Sequence, residues 1–346
     1  MFVRRLNLDR NPMPGHSRSG QFVEILAPAK INLFLEILGK RDDGFHDLDM
    51  VMTSVGLYDT LSFSESADQQ IQLTCKWEST GCMNWQPEEI PSTQENLVYQ
   101  AALALRNHAR AIGKPTTGVE VTLLKRIPTR AGLGGGSSDA AATLIGLSYL
   151  WGLSLETQQL IDIAAELGSD VPYFIRGGVA RCQSRGEQIT HVEDHCHLNI
   201  VLAQADSGLS TPDVFAGCEV PESPTRIQPM IDAVSYGDPT RVSSELHNRL
   251  YVPASRLAPS VRGIEKTMMD AGCLAATMTG SGTAVFGICR NATQARRIRR
   301  SLAIPTDWLG TSYFDNTRHQ LSAISCKLAS VFSMTLSCLD LRPAAP

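Results

Sequence analysis

The stretch Pro128–Ala142, P-T-R-A-G-L-G-G-G-S-S-D-A-A-A, leaves little freedom to the part of the chain that carries it. Gly132, Gly134, Gly135 and Gly136 stand directly ahead of Ser137, Ser138 and a helical run, Ala140–Trp151, that contains no charged residue. A helix apolar on every side is buried on every side, so this one belongs at the centre of a domain. Glycine lets the backbone take conformations closed to other residues and lets a ligand come close. The start of a helix leaves amides unpaired and carries partial positive charge. Together these make an anion cradle suited to the phosphates of a nucleotide. A glycine-rich turn that only packs the helix is the plainer alternative, and four glycines with two serines exceed what it requires.

Two other glycine motifs are excluded. A Walker A loop needs a lysine after its glycines, and none follows here. A Rossmann fingerprint needs a third glycine where Ser137 stands.

Around the cradle, Phe22–Ala27 and Ile31–Leu38 read as two strands joined by Pro28, Ala29 and Lys30, followed by a turn over Gly39–Gly44. Further strands are expected at Ile71–Trp77, Val119–Leu124, Leu198–Ala203, Leu274–Met278 and Thr283–Cys289. Helices are expected at Asn96–Ile112, with Asn96 as N-cap, and at Leu155–Leu167, Arg241–Leu250 and Ser260–Ala271. Strands and helices mix without regular alternation, which indicates an α+β fold. With 346 residues, two domains fit: 22–197 and 198–320, flanked by a disordered extension over 1–21 and a tail over 321–346.

A formal net charge of −4 gives no support for gripping long nucleic acid. Arg296, Arg297, Arg299 and Arg300 fall on one side of a helix opposite Ala295, Ile298 and Leu302, the pattern of a solvated face. The nine cysteines include no C-x-x-C pair and no zinc spacing, so reduced, mostly buried thiols in a cytoplasmic protein are expected, with no metal held by the protein. The first residues lack the apolar core of a secretory signal. Leu321–Leu339 is broken by Lys327 and serines, short of the roughly 20 mostly apolar residues of a membrane span.

Three segments, A-P-A-K-I-N-L (Ala27–Leu33), P-T-R-A-G-L-G-G-G-S-S-D-A-A and M-T-G-S-G-T-A-V-F (Met278–Phe286), resemble the three signatures of the GHMP kinase superfamily, in their usual order. The turn R-D-D-G-F-H, L-G-S-D-V-P-Y-F, L-S-T-P-D-V-F and L-H-N-R-L are similar to the branch acting on 4-diphosphocytidyl-2-C-methyl-D-erythritol in the non-mevalonate isoprenoid route. The resemblance spans about Val23–Gly310. It implies a two-domain fold, an N-terminal domain like ribosomal protein S5 domain 2 and a C-terminal GHMP domain, with the active site in the cleft between them.

The resemblance also implies roles. Asp170 is the base and Lys30 its partner; Asp170 as a helix or turn cap before Pro172 is the alternative. Pro128, Gly132, Gly134, Gly135, Gly136, Ser137 and Ser138 take the ATP phosphates, and Asn96, Leu97 and Lys125 line the adenine pocket, with a simple helix cap equally open for Asn96. Asn32, Phe45, His46, Asp170, Thr211 and Phe215 take the cytidine-diphosphate-linked acceptor, the two phenylalanines stacking on the base from opposite faces. Mg2+ accompanies ATP, and Asp139 is either its neighbour or a helix cap. Another GHMP kinase, for homoserine, mevalonate or a sugar, or a nucleotide-binding regulator without catalysis, are the competing functions; a monomer or weak homodimer is expected. Two departures stand out. Ala203–Ser207 is neither basic nor proline-rich, and Arg249 stands where L-x-N-D-L has an acid.

Overall fold

The two strands expected on either side of Pro28 are one, β2 (Gln21–Lys40), in the computed structural model, which describes residues 2–7, 21–78, 89–204, 208–302 and 308–313. Proline lacks a ladder donor and is tolerated at a bulge. The register of β2 against the antiparallel β3 (His46–Ser66) shifts between Pro28 and Ala29, so the strand continues past the proline. The expected disordered start is also strand in part. Phe2–Asn7, β1, pairs antiparallel with Gln21–Leu26, adding a strand to the free edge of β2, a ready template for pairing. Residues 8–20 and the expected tail lie outside the described residues.

Beyond the hairpin of β2 and β3 come β4 (Ile71–Trp77), α1 (Leu97–Ala111) and β5 (Gly118–Lys125). Next are α2 (Gly135–Leu150), α3 (Thr157–Leu167), the short α4 (Val171–Arg176), β6 (Val179–Ser184) and β7 (Gln188–His191). The first sheet runs β1-β2-β3-β5-β4, and β6 joins the far half of β3. Then follow β8 (Asn199–Gln204), α5 (Thr211–Ala216), α6 (Gln228–Tyr236), α7 (Pro239–Ser244) and β9 (His247–Asn248). The chain ends its described part with α8 (Tyr251–Leu257), α9 (Ser260–Asp270), β10 (Ala275–Met278), β11 (Ala284–Cys289), α10 (Ala292–Ser301) and β12 (Trp308–Tyr313). A second, antiparallel sheet has the order β10-β11-β8-β12.

The helix expected over Arg241–Leu250 is instead α7 followed by β9, which pairs in parallel with Phe34 and Leu35 of β2. Helix α7 starts at Pro239 under an Asp238 cap, and its end frees His247 and Asn248 to meet an exposed ladder. The four arginines of α10 are exposed while Ala295 and Ile298 are buried, as the pattern required. No helix among the described residues is long and apolar enough to cross a membrane.

Strand β2 feeds two cores. Val23, Ile25 and Ala27 pack in one with Ala101 and Leu105 of α1 and Ala140, Leu144 and Leu147 of α2. Past the bulge, Ala29, Ile31 and Leu33 pack in the other with Ile200 and Leu202 of β8 and Phe286 and Ile288 of β11. After a second irregularity at Asn32/Phe34, Leu35 and Ile37 return to the first. Lys30 and Asn32 lie within the crossing segment.

Candidate active site

Helix α2 begins at Gly135, five residues before the apolar run, so two of the cradle glycines form its first turn. Poor helix formers are tolerated there, because the first amides have no intrahelical partners in any case. Gly134 is the N-cap, with φ +68°, and Ser138 N donates to its carbonyl at 2.9 Å. A Cβ on Gly134 would stand 2.9 Å from Phe174 Cζ and 3.1 Å from Lys30 Cγ. Glycine is therefore needed twice over, for its torsion and for the close approach.

The third glycine loop, Thr279–Thr283 between β10 and β11, lies directly on the first. A Cβ on Gly132 (φ +77°) would collide with the Thr279 carbonyl, and Ala284 N donates to Ala131 O at 3.0 Å. Lys30 sits between the two loops. Its backbone N donates to Leu133 O at 3.0 Å, and a Cβ on Gly280 would be 3.2 Å from its ammonium. Lys30 Nζ donates to Asn32 Oδ1 at 2.6 Å, and Asn32 N donates to Thr279 Oγ1 at 3.0 Å. Burial pushes the Lys30 ammonium below its ordinary pKa, and the charge of Asp170 opposes that shift.

Asp170 occupies the N-cap position of α4 but accepts no capping hydrogen bond, and it remains partly open to solvent. Its carboxylate is thus not consumed by the helix. It lies in the electrostatic reach of Lys30 and of the buried Cys182, whose thiol burial and Asp170 together push up. The Gly186 turn closes over the other side, where a Cβ would be 3.6 Å from Asp170 Oδ1.

Lys125, expected beside adenine, is tied down below the cradle. Its ammonium bonds Asp59 and, at 2.7 Å, Asp139 Oδ2. Asp59 Oδ1 also accepts from the amides of Arg126 and Ile127, at 2.5 and 2.9 Å. Burial would lower the Lys125 pKa, but two carboxylates overcome it and hold the group charged; burial raises the Asp139 pKa, with Lys125 opposing. Asp139 therefore serves as an ion-pair partner rather than a helix cap. Its Oδ1, and Ser138 Oγ, are buried without a partner in the described structure. These are oxygens that a cation accompanying the phosphates would satisfy. No cluster of three or more His, Cys, Asp or Glu side chains that could hold a metal is present among the described residues.

Asn96 caps α1, accepting from Val98 N at 2.9 Å while its amide donates to Pro91 O at 2.7 Å. Leu97 Cδ1 would be 3.6 Å from a Cβ on Gly136, which places it at the mouth of the cradle, and Pro128 is buried at the start of the loop. Among the residues expected to take the acceptor, Phe45 is 51% exposed, with the Arg185 guanidinium 5.1 Å from its ring centre. His46 stacks directly on Phe215, centroids 5.1 Å apart and planes at 29°. Thr211 Oγ1 and Ser281 Oγ share a hydrogen bond of 2.8 Å, joining the start of α5 to the third loop.

Sequence reasoning missed Thr279, Asp59 and Arg185. Thr279 is inside a quoted motif, so its role was open to reading; Asp59 and Arg185 have no local signal.

Residues 96–178 match the family described as GHMP kinases N terminal domain, and residues 230–305 match GHMP kinases C terminal. A 4-diphosphocytidyl-2-C-methyl-D-erythritol kinase of Pelotomaculum thermopropionicum is 38% identical over 80% of this chain and 92% of its own length. One of Alkaliphilus metalliredigens is 36% identical, over 82% and 93%. The chain belongs to the GHMP kinases. Like other GHMP kinases it is an ATP-dependent phosphotransferase. The crystal structure of a 4-(cytidine 5'-diphospho)-2C-methyl-D-erythritol kinase matches this GHMP kinase with a TM-score of 0.68 and 31% identity, over 84% of this chain and 98% of that one. A homoserine kinase from Cytophaga hutchinsonii matches with a TM-score of 0.64 at 17% identity, over 88% and 96%, which speaks to the fold alone.

Proposed function

We propose that this kinase transfers the γ-phosphoryl group of ATP to the 2-hydroxyl of 4-diphosphocytidyl-2-C-methyl-D-erythritol, with Asp170 as base and Lys30 as its cationic partner. The observation that carries the reading is Lys30, buried between two glycine loops and in the field of a carboxylate that caps nothing. The names of relatives at 36–38% identity supply the acceptor.

Phosphoryl transfer needs positioning and charge stabilisation more than covalent help from the protein. Asp170 accepts the proton of the attacking hydroxyl. That oxygen bonds to the γ-phosphorus as the bond to the bridging oxygen of ADP breaks, and Asp170 then releases the proton to water. Lys30 faces the charge on the transferring group, and the first amides of α2 hold the phosphates behind it. Mg2+, with Ser138 and Asp139 as the residues that would take it, would neutralise phosphate charge. Phe45, His46 and Phe215 supply ring faces for the cytosine, and Asn32, held by Lys30 and Thr279, lines the passage between the two substrates.

The test is ADP release, coupled to an absorbance readout, across the cytidylated methylerythritol, homoserine, mevalonate and hexoses. Turnover is expected with the first alone. Turnover with another acceptor reassigns the substrate, and none with any acceptor returns the chain to a nucleotide-binding regulator.

A further inference from the structure

The third glycine loop touches Lys30, yet its own backbone is held from outside the nucleotide site. Asn248 Nδ2 donates to Met278 O at 2.8 Å and to Gly280 O at 2.9 Å, while its Oδ1 accepts from Leu250 N at 3.0 Å. Both amide hydrogens of a buried side chain are thus spent on the two carbonyls that bracket Thr279. Met278 and Gly280 sit on either side of the residue that bonds Asn32, and Gly280 faces the Lys30 ammonium.

Asn248 itself stands on β9, two residues long. So short a strand contributes little pairing of its own: Phe34 and Leu35 are its partners on β2, and Arg249 N donates to Leu35 O at 2.9 Å. What secures it is the next side chain. Arg249 places Nε on Glu36 Oε1 and Nη2 on Glu36 Oε2, both at 2.6 Å, a two-pronged fork on a fully buried carboxylate. The same carboxylate accepts from Ile37 N and Thr225 N, each at 2.9 Å, and meets His247 Nε2 at 3.1 Å. Glu36 therefore gathers β2, β9 and the approach to α6 on one charge, and it is on the strand that carries Lys30.

We propose that the Glu36–Arg249 fork is a positioning latch for the phosphoryl-transfer step: it fixes β9, so that the Asn248 amide sets the third glycine loop against Lys30. Arg249 touches no substrate and acts through Asn248. The departure from L-x-N-D-L is thereby a working pair with Glu36 rather than a loss. The kinetic part rests on the kinase reading above; the hold on the loop does not.

Four proteins separate the possibilities: wild type, Arg249→Ala, Arg249→Lys, which keeps the charge without the fork, and Asn248→Asp, which keeps the shape but turns a carboxylate oxygen on two carbonyls. Amide hydrogen exchange at Thr279–Thr283 reads the loop, and kcat and KM, taken well below each melting temperature, read the chemistry. Arg249→Ala and Asn248→Asp are expected to speed exchange in the loop by tenfold or more, on the order of a local opening. Both are expected to lower kcat on the order of 10–10²-fold, the scale of a misplacement near 1 Å, with the acceptor KM unchanged. Arg249→Lys, which loses the fork, is expected to recover only part of the kcat, and full recovery would show that charge alone, not the fork, holds β9. Loop exchange unchanged in both variants overturns the latch even if activity falls. Faster exchange with full kcat overturns the positioning role. If the wild type phosphorylates no acceptor, the acceptor assignment fails separately. The latch is then read from ATP affinity by calorimetry, which falls in both variants if it holds and stays constant if it does not.

Discussion

On the proposed reading, the nucleotide side and the acceptor side of this site are built differently. On the nucleotide side, two glycine loops lie in backbone contact, Lys30 is clamped between them, and Lys125 is fixed below by Asp59 and Asp139. On the acceptor side Phe45 is half exposed, Thr211 is exposed, and His46 and Phe215 lean on each other. Phosphate recognition by amides tolerates little error in backbone placement, so that half would need to be set before ligand arrives. A flat base can be gripped by side chains that turn to meet it. The direct His46–Phe215 stack is a side-chain contact, and on the proposed reading a cytosine entering between aromatic faces would have to part it or stack on Phe45 beside it.

This contrast breaks most sharply at Asp170. Asp170→Ala is expected to lower kcat by on the order of 10²–10⁴ while ATP and acceptor still bind and the melting temperature holds. Wild-type turnover in that variant would take Asp170 out of the chemistry.

Acid probes the nucleotide side as a whole. Burial alone would raise the Glu36 pKa, but the Arg249 fork and the amides of Thr225 and Ile37 hold it down from 4.5 to about 2. A carboxylate with a depressed folded-state pKa gives stability that is fully present above its unfolded pKa and lost as pH falls. Titration from pH 5 to 2 is therefore expected to remove on the order of 3 kcal/mol through Glu36. Urea midpoints of wild type and Glu36→Gln across that range measure it. Equal acid losses in both proteins would show that this charge is not what braces the loops.

The acceptor side should respond in binding instead. Phe45→Ala is expected to raise the acceptor KM by the equivalent of roughly 1–3 kcal/mol of stacking, leaving the ATP KM and the melting temperature alone. A smaller effect tests the edge of the nucleotide side. Asn96→Ala is expected to lower stability by about 1 kcal/mol, the worth of a helix cap, with the ATP KM little moved. A large rise in ATP KM would place Asn96 in the adenine pocket as well.

The same division marks what was legible in the sequence. Local signals located the Asn96 cap, the amphipathic α1, the strand Ile71–Trp77 and the glycine cradle, because each is set by neighbours within a few positions. The start of α2 was misplaced because its first turn is glycine, which no propensity scale favours. Pro28 hid the continuity of β2, since a bulge in a long ladder looks locally like a break. Nothing near Lys125 announces Asp59, 66 residues away, and Arg249 gave no hint of Glu36, 213 residues away. Such ion pairs exist only once the sheets are assembled.

A single strand that delivers successive stretches of side chains to both hydrophobic interiors has a consequence for how the molecule comes apart. Neither half retains its complement of apolar partners if β2 is taken by the other, so cutting the chain near residue 197 should not release two modules that refold alone. Melting should follow one cooperative transition, with Lys30 losing its surroundings only when everything else does.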